Sequence, residues 1–386
     1  MAAAFGFALI AVFVMGSALG VAVGVAFAAL IALPPWRRLQ RLLPLDLSFS
    51  VFLMFIAWAW LSTIWSPYDN SGQALRMATG AFLYPLFVYA VWSLRGKARR
   101  IVMLTALVSG SAMALPYLLE GFTGIISHFF ASGADRDDYL RDATRGVSAI
   151  IMALPPLAVL WMKLQPGWRG RVAAGLLVVA AAIISWQFHL FAGLVALGAG
   201  GFFFALGYRW PRSTILMITL AYLTMLLLAP LLLPNLVAPL DGDNLPFSWA
   251  WRVKMWPYTG AQIGMHPFIG WGLDASRTFT HDVFKMHGYT LNYLSYHPHD
   301  FGLQVWLETG LVGALILGMA ILLFGLRLAG ISSLTHPQGA AIAGSAAVYL
   351  VFFSVTYGAW QEWLWASVAW VAALCILAGP EPRDRS

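Results

Sequence analysis

Charge is what this chain has least of. Only 10% of its 386 residues are Asp, Glu, Lys or Arg, while 60% are hydrophobic. With a mean hydropathy of +0.76, a soluble domain of ordinary composition is excluded and a polytopic membrane protein is expected. There is one cysteine, Cys375, so neither an intrachain disulfide nor a cysteine metal cluster can form. No glycine-rich turn ends in Gly-Lys-Ser/Thr, which argues against a nucleotide-driven pump, and no His-Glu-x-x-His helix occurs. No Lys or Arg precedes the first apolar run, so a cleaved signal peptide is not expected. With no repeat of 20–50 residues and no Gly/Ser linker, residues 1–386 read as one polytopic membrane domain.

What is present is a train of apolar runs. Residues 2–33 read as a hairpin of two short helices turning near Gly16, Gly20 or Gly24. Further runs follow at 47–65, 77–94, 101–119, 147–162, 172–188, 190–207, 213–239, 301–326, 340–358 and 360–379. At roughly 20 residues per crossing, this is an all-α integral membrane protein of about twelve transmembrane helices. The basic residues of the connectors alternate in side. Arg37, Arg38, Arg41, the Arg95–Arg100 segment, Lys163–Arg171, Arg209–Arg212, Arg327, Arg383 and Arg385 fall together, which makes that face and both termini cytoplasmic. The acids concentrate on the opposite face, in two expected loops at about 120–146 and 240–300. The net charge of +7 is thus a topology signal. No basic face is left over for nucleic acid. In a bacterium the acidic face of the inner membrane is periplasmic.

The stretch from His297 to Gly313 carries the densest polar pattern. Asp300 is placed to cap the helix that follows, and Asp300, Gln304 and Glu308 recur every four residues as a polar stripe. A stripe of this kind in an apolar helix is expected to face a protein-lined cavity, with His297 and His299 at its mouth. Glu308 reads either as a packing carboxylate bonded to Gln304 or an arginine, or as a group that orients an acceptor; support is the favoured reading. A histidine can serve as a solitary base, because a neutral imidazole accepts a proton from an alcohol near neutral pH. His-Pro-His directs its side chains apart, so no metal is expected; His281 and His287 read as ordinary loop residues.

Basic residues are scarce on the outer face, so Arg76, Arg136, Arg141, Arg145, Arg252, Lys254, Arg277 and Lys285 each need a reason to be there. Arg145 opens an apolar helix and Arg252 lies among Trp249, Trp251 and Trp256. A guanidinium at the membrane edge suits a diphosphate. The alternative is pairing with acids such as Asp138 or Asp142, and for Arg136 and Arg141 that reading is favoured. The outer aromatics, Trp271, Tyr289, Tyr293 and Tyr296 among them, could stack on sugars, but an interfacial belt is the favoured reading.

The motif His297-Pro-His299-Asp-x-x-Leu303-Gln304-x-x-x-Glu308-x-Gly310-x-x-Gly313 resembles the signature of the O-antigen ligase and polymerase superfamily. Two further stretches agree: Leu61 to Pro67, and Trp251-Arg252 followed by His266 to Gly272. Asp300 stands where the family pattern has Asn. The resemblance implies a GT-C-like glycosyltransferase architecture with a large periplasmic loop. It also implies cofactor- and metal-independent inverting transfer from an undecaprenyl-diphosphate-linked glycan to a hydroxyl of lipid A-core or another glycan, among membrane lipids. Carried over by position, Arg145 and Arg252 hold the diphosphate and His299 orients or deprotonates the acceptor; Arg76, His297, Asp300, Gln304 and Glu308 are the further binding candidates. An O-antigen ligase is the first expectation and a polymerase of the same superfamily the second. A secondary transporter is the third, disfavoured because no halves repeat and the polar residues gather at one edge.

Overall fold

The computed structural model describes residues 2–14, 17–33, 45–69, 71–130, 134–240, 242–294 and 296–381. The expected hairpin turn at Gly16, the connector arginines Arg37, Arg38 and Arg41, the tail arginines Arg383 and Arg385, and the side chain of Arg136 lie outside the described residues.

Helices dominate because an apolar run in lipid must satisfy its backbone groups within itself. In chain order they are α1 (Ala2–Val14), α2 (Leu19–Ile31), α3 (Leu47–Leu61), α4 (Ser71–Trp92), α5 (Gly96–Ala112), α6 (Ala114–Thr123), α7 (Ile125–Phe130), α8 (Ala134–Leu164), α9 (Trp168–Gln187), α10 (Phe191–Arg209), α11 (Pro211–Val237), α12 (Phe247–Met265), α13 (Phe301–Ala329), α14 (His336–Val355) and α15 (Glu362–Ala378). Among the described residues nine helical segments are long and apolar enough to cross a membrane, the continuous α5–α6 segment counting as one. Three shorter apolar helices, α1, α2 and α15, stand at the remaining expected runs.

α8, α14 and α15 form the buried centre. Ile151, Met152, Leu157, Phe352, Trp363 and Trp370 are fully enclosed there. The peripheral helices leave large apolar side chains outward, among them Leu176, Trp186, Leu220, Leu231 and Phe324, as a lipid-facing surface does. At one end of the bundle, Arg99 and Lys163 donate to the carbonyls that close α15, including Ile376, Leu377 and Gly379. These cations, predicted to share a side, do meet, and they sit where a helix C-terminus favours positive charge.

The two expected outer loops are largely structured. Residues 120–146 are helical over most of their length, because helices α6 to α8 continue beyond the apolar positions that hydropathy detects. The 240–300 segment holds α12 and, as a departure from an all-helical chain, an antiparallel hairpin of strands β1 (Val283–Met286) and β2 (Tyr289–Asn292). His287 and Gly288 both take positive φ at its two-residue turn, which matches the twist of the flanking strands.

Helix α13 is broken once. Gly310 has φ 65° and ψ −168°, and residues 267–272 of the outer segment are spliced into the gap. In an unbroken helix the carbonyls of Leu307 and Glu308 would accept from Leu311 and Val312. Here Leu307 O accepts from Trp271 N at 2.8 Å and Glu308 O from Gly272 N at 2.9 Å. Leu311 N and Val312 N donate instead to Pro267 O and Phe268 O, at 2.9 and 3.1 Å. Four of the backbone groups freed by the break are thereby satisfied from one loop. Trp58 Nε1 donates to Thr309 O and Trp65 Nε1 to Gly270 O, while Ser62 and Ser66 bond the backbone of Leu273. The three stretches that carry the family resemblance therefore meet at this splice.

A Cβ at Gly310 would collide with the Phe268 carbonyl, and its positive φ is costly for any L side chain. Gly310→Ala is expected to lower stability by about 1–3 kcal/mol from backbone strain alone, read as a fall in the thermal midpoint of the detergent-solubilised protein. Gly318→Ala on the same helix, where the nearest atom is 3.4 Å away, should melt as the parent does; equal behaviour of the two variants would contradict this account of the break.

Candidate active site

The site is assembled by the last residue of α14, Val355, and by residues 356–361 between α14 and α15. Arg252 Nη2 donates to Val355 O, and Nη1 to Ser248 O one turn back on α12. His299 Nδ1 lies 2.8 Å from Thr356 O. Consecutive carbonyls, whose Cα atoms are about 3.8 Å apart, thus anchor the arginine and the histidine side by side.

Each anchor fixes chemistry. A carbonyl oxygen only accepts, so Nδ1 of His299 carries the hydrogen and Nε2 keeps its lone pair. Burial depresses His299 to about 4, with the Thr356 bond opposing and the Arg252 charge adding, so the ring is neutral at ordinary pH. The residue is held at φ 55°, an uncommon conformation outside glycine. Its backbone N–H donates to His297 Nδ1 at 3.2 Å, and the two rings lie 4.3 Å apart, so the expectation that His-Pro-His directs its side chains apart is corrected: the positive φ at His299 folds the two rings together. Burial pushes His297 well below its usual value, followed by the positive fields of His299, Arg277, Arg252 and Arg145.

Arg252 has no carboxylate within ion-pairing distance among the described residues. Its Nε has no hydrogen-bond partner and the guanidinium lies 5.2 Å over Trp249. Burial lowers it to about 10, still fully charged near neutrality. A largely buried cation without a counter-ion is costly unless an anion joins it. Arg145 differs: it pairs with Asp142 one turn earlier on α8. One turn later Ser148 Oγ sits 2.6 Å from Tyr357 OH, joining α8 to the anchoring segment. Burial raises Tyr357 to about 12, so it stays a neutral hydroxyl. Arg76 pairs with Glu362 and donates to Gln73 Oε1, and Gln73 Nε2 in turn donates to Trp360 O. Arg141 pairs with Asp138 on the surface, as expected for it.

The polar stripe of α13 is covered by protein. Gln304 Oε1 accepts from Ala359 N at 2.8 Å, and its Nε2 donates to Glu308 Oε1 at 3.1 Å. Glu308 is fully buried and accepts from four donors: Gln304 Nε2, Ser276 Oγ, Asp274 N and Trp360 Nε1. It is the supporting carboxylate, bonded to Gln304 as its spacing suggested. Asp300 caps α13 through Leu303 N at 2.7 Å. Its Oδ2 is buried without a partner among the described residues, and Asp300 lines an apolar groove of about 480 Å³ with Met225, Leu350 and Ser354. His281 is exposed on the outer segment, away from these contacts. Among the described residues no three His, Cys, Asp or Glu side chains gather as a metal cage.

Sequence reasoning missed Gln73, Ser148, Ser276, Tyr357 and Trp360. The available signal was the run Thr356-Tyr357-Gly358-Ala359-Trp360-Gln361, a polar, glycine-bearing interruption between two apolar helices that a hydropathy reading passes over as a bare turn.

Two outcomes follow for this site. The pocket around Glu308 wants an acceptor-only group. In Glu308→Gln the amide N–H₂ must face at least one donor, leaving buried donors unsatisfied at about 1–3 kcal/mol each. The isosteric variant should therefore melt well below the parent, and a melt within 1 °C of it, roughly a few tenths of a kcal/mol, would refute the arrangement. Burial raises Asp300 to about 7, against about 3.9 in an unfolded chain. As pH rises through that window the unfolded chain loses the proton first, so stability falls and stays lower above it. Asn caps equally well and does not titrate. The stability advantage of Asp300→Asn should accordingly widen between pH 5 and pH 8; a gap independent of pH would count against the buried carboxyl.

Comparison with known proteins bears on the same region. The profile of a family described as O-antigen ligase matches residues 191–318, which include α12, the spliced loop and the His297–Gly313 stretch. Proteins provisionally named polysaccharide ligases align along most of the chain. One from Rickettsia typhi is 24% identical over 337 residues, 83% of this chain and 78% of the relative. Another from Rickettsia conorii is 24% identical over 361 residues, 88% and 83% of the two chains, and one from Rickettsia felis is 23% identical over 339 residues. No solved structure matches the chain significantly. The signature motif, the matched profile over residues 191–318 and these relatives all make the chain similar to the O-antigen ligase superfamily.

Proposed function

We propose that this protein is a membrane glycosyltransferase of the O-antigen ligase type, moving a glycan from undecaprenyl diphosphate to a hydroxyl of lipid A-core. The observation that carries the reading is the pair of anchors at Val355 O and Thr356 O. They hold a cation that has no carboxylate partner among the described residues beside an imidazole whose free nitrogen is a lone-pair base. Such a pair suits a reaction that needs a proton removed and an anion received within a short distance.

In this mechanism His299 Nε2 takes the proton of the acceptor hydroxyl as its oxygen bonds the anomeric carbon from the face opposite the leaving group. The bond from that carbon to the phosphate oxygen breaks, and the electron pair leaves with the diphosphate. Arg252 receives the growing charge, with Arg145 as second cation. The chain would lie in the bacterial inner membrane with about twelve crossings, both termini cytoplasmic and the site at the periplasmic face. The sidedness of the basic connectors supports this orientation.

The test is transfer by purified protein in nanodiscs, given lipid-diphosphate-linked glycan and core acceptor. Glycosylated core and free undecaprenyl diphosphate are expected. His299→Ala should cost about 10²–10⁴-fold in kcat and Arg252→Ala about 10²–10³-fold. With His299 depressed to about 4, kcat should stay flat from pH 5.5 to 7.5, where an ordinary imidazole of about 6.5 would lose much of its activity. Absence of transfer, or undiminished activity of both variants, removes the proposal. Growth of the lipid-linked glycan itself, with bare core, would assign the site to a polymerase.

A further inference from the structure

Arg277 is a third arginine at this site, and its surroundings differ from those of the other two. It sits in a short turn, Ala275–Thr278, that is clamped to the signature helix: Ser276 Oγ bonds Glu308 Oε1 at 2.7 Å and Tyr296 O at 2.8 Å. The guanidinium lies 5.8 Å from the ring centre of Tyr68 and 5.4 Å from that of Tyr296, and its Nε is 3.3 Å from Asp274 Oδ1. The segment bearing Tyr68 is tied to the same turn, since Ser66 Oγ donates to Leu273 O at 2.7 Å while accepting from Tyr68 N. Two rings and one acid thus hold the faces and the inner edge of a planar cation. Its terminal nitrogens make no hydrogen bond among the described residues, and the side chain is 37% exposed. Its positive field reaches His297 together with those of Arg252 and Arg145.

A guanidinium held by aromatic faces presents its outer edge as a fixed two-pronged donor, the geometry that matches a carboxylate or a phosphate. Tyr296, 64% exposed, adds an aromatic surface beside it, and a ring next to a cation suits a sugar that carries a negative charge. In the reaction proposed above, Arg252 and Arg145 are committed to the donor diphosphate. We propose that Arg277, with Tyr68 and Tyr296, forms a subsite for an anionic sugar of the acceptor, seating a carboxylate or phosphate so that the neighbouring hydroxyl meets His299. This inference rests on the glycosyl-transfer reading, and it assigns acceptor choice to Arg277 as a binding residue.

Binding without turnover separates the two ideas. Lipid-free core oligosaccharide, freed of its acyl chains, is titrated into nanodisc-embedded protein and binding is followed by calorimetry. Arg277→Gln is expected to raise Kd at least tenfold and Arg277→Lys less. Oligosaccharide stripped of phosphate loses affinity for the parent protein if phosphate is the recognised group; carboxyl-reduced oligosaccharide does so if it is a carboxylate. The inference is overturned if Arg277→Gln binds within twofold of the parent, if neither treated oligosaccharide is weakened, or if the parent protein does not bind the oligosaccharide. Thermal midpoints of the variants guard against misfolding, and Arg277→Lys, which keeps the charge, stands in should Arg277→Gln fail to fold. Binding with the expected Arg277 dependence but no transfer leaves the subsite standing and removes the reaction; normal transfer with an unchanged acceptor KM in Arg277→Gln does the reverse.

Discussion

One buried carboxylate keeps three distant stretches of chain in register. Glu308 accepts from Gln304 on its own helix, from Asp274 and Ser276 in the outer segment, and from Trp360 in the segment before the last helix. A hydrogen bond to a charged acceptor contributes about 1.5–3 kcal/mol in such surroundings, and no neutral side chain of that size presents four acceptor positions. The outer segment carries Arg277, and the segment beginning at Val355 carries the carbonyls that hold Arg252 and His299. Glu308 thus bonds both segments to α13, together with the Gln304–Ala359 bond and the backbone splice of residues 267–272.

The two backbone anchors also explain the contrast among the arginines. Arg145, Arg76 and Arg141 have carboxylate partners. Arg252 has carbonyls, which orient a guanidinium without neutralising it. A cation held by dipoles keeps its full charge for an incoming anion, and the burial that lowers its proton affinity strengthens the attraction that an anion would feel there.

Much of this was legible in the sequence because it is local. Asp300 caps its helix, Gln304 and Glu308 bond across one turn, Arg141 pairs with Asp138, and apolar helices stand at the runs that hydropathy marks. What escaped is long-range or carried by the backbone. Val355 and Thr356 serve through their carbonyls, a role that any residue type could fill, so no side-chain pattern announces them. The break at Gly310 was hidden because glycine in an apolar run reads as an ordinary packing residue. The 120–146 segment looked like a loop because its charged helical turns resemble a polar linker when only hydropathy is weighed.

The splice at Gly310 also divides the signature helix into two lengths. Residues 311–329 form an uninterrupted helix of about 28 Å at 1.5 Å per residue, close to the roughly 30 Å of bilayer hydrocarbon. The nine residues from Phe301 to Thr309 are then surplus to the crossing. They form a separate post, whose Leu307 and Glu308 carbonyls accept from the outer segment and whose Thr309 carbonyl accepts from Trp58. During biosynthesis the crossing helix can enter the bilayer by itself, whereas the post has no complete set of backbone partners until residues 267–272 have taken their place. The signature helix is thus two objects joined at Gly310, a segment of membrane-crossing length and a shorter stem, and the proposed base sits at the tip of the stem.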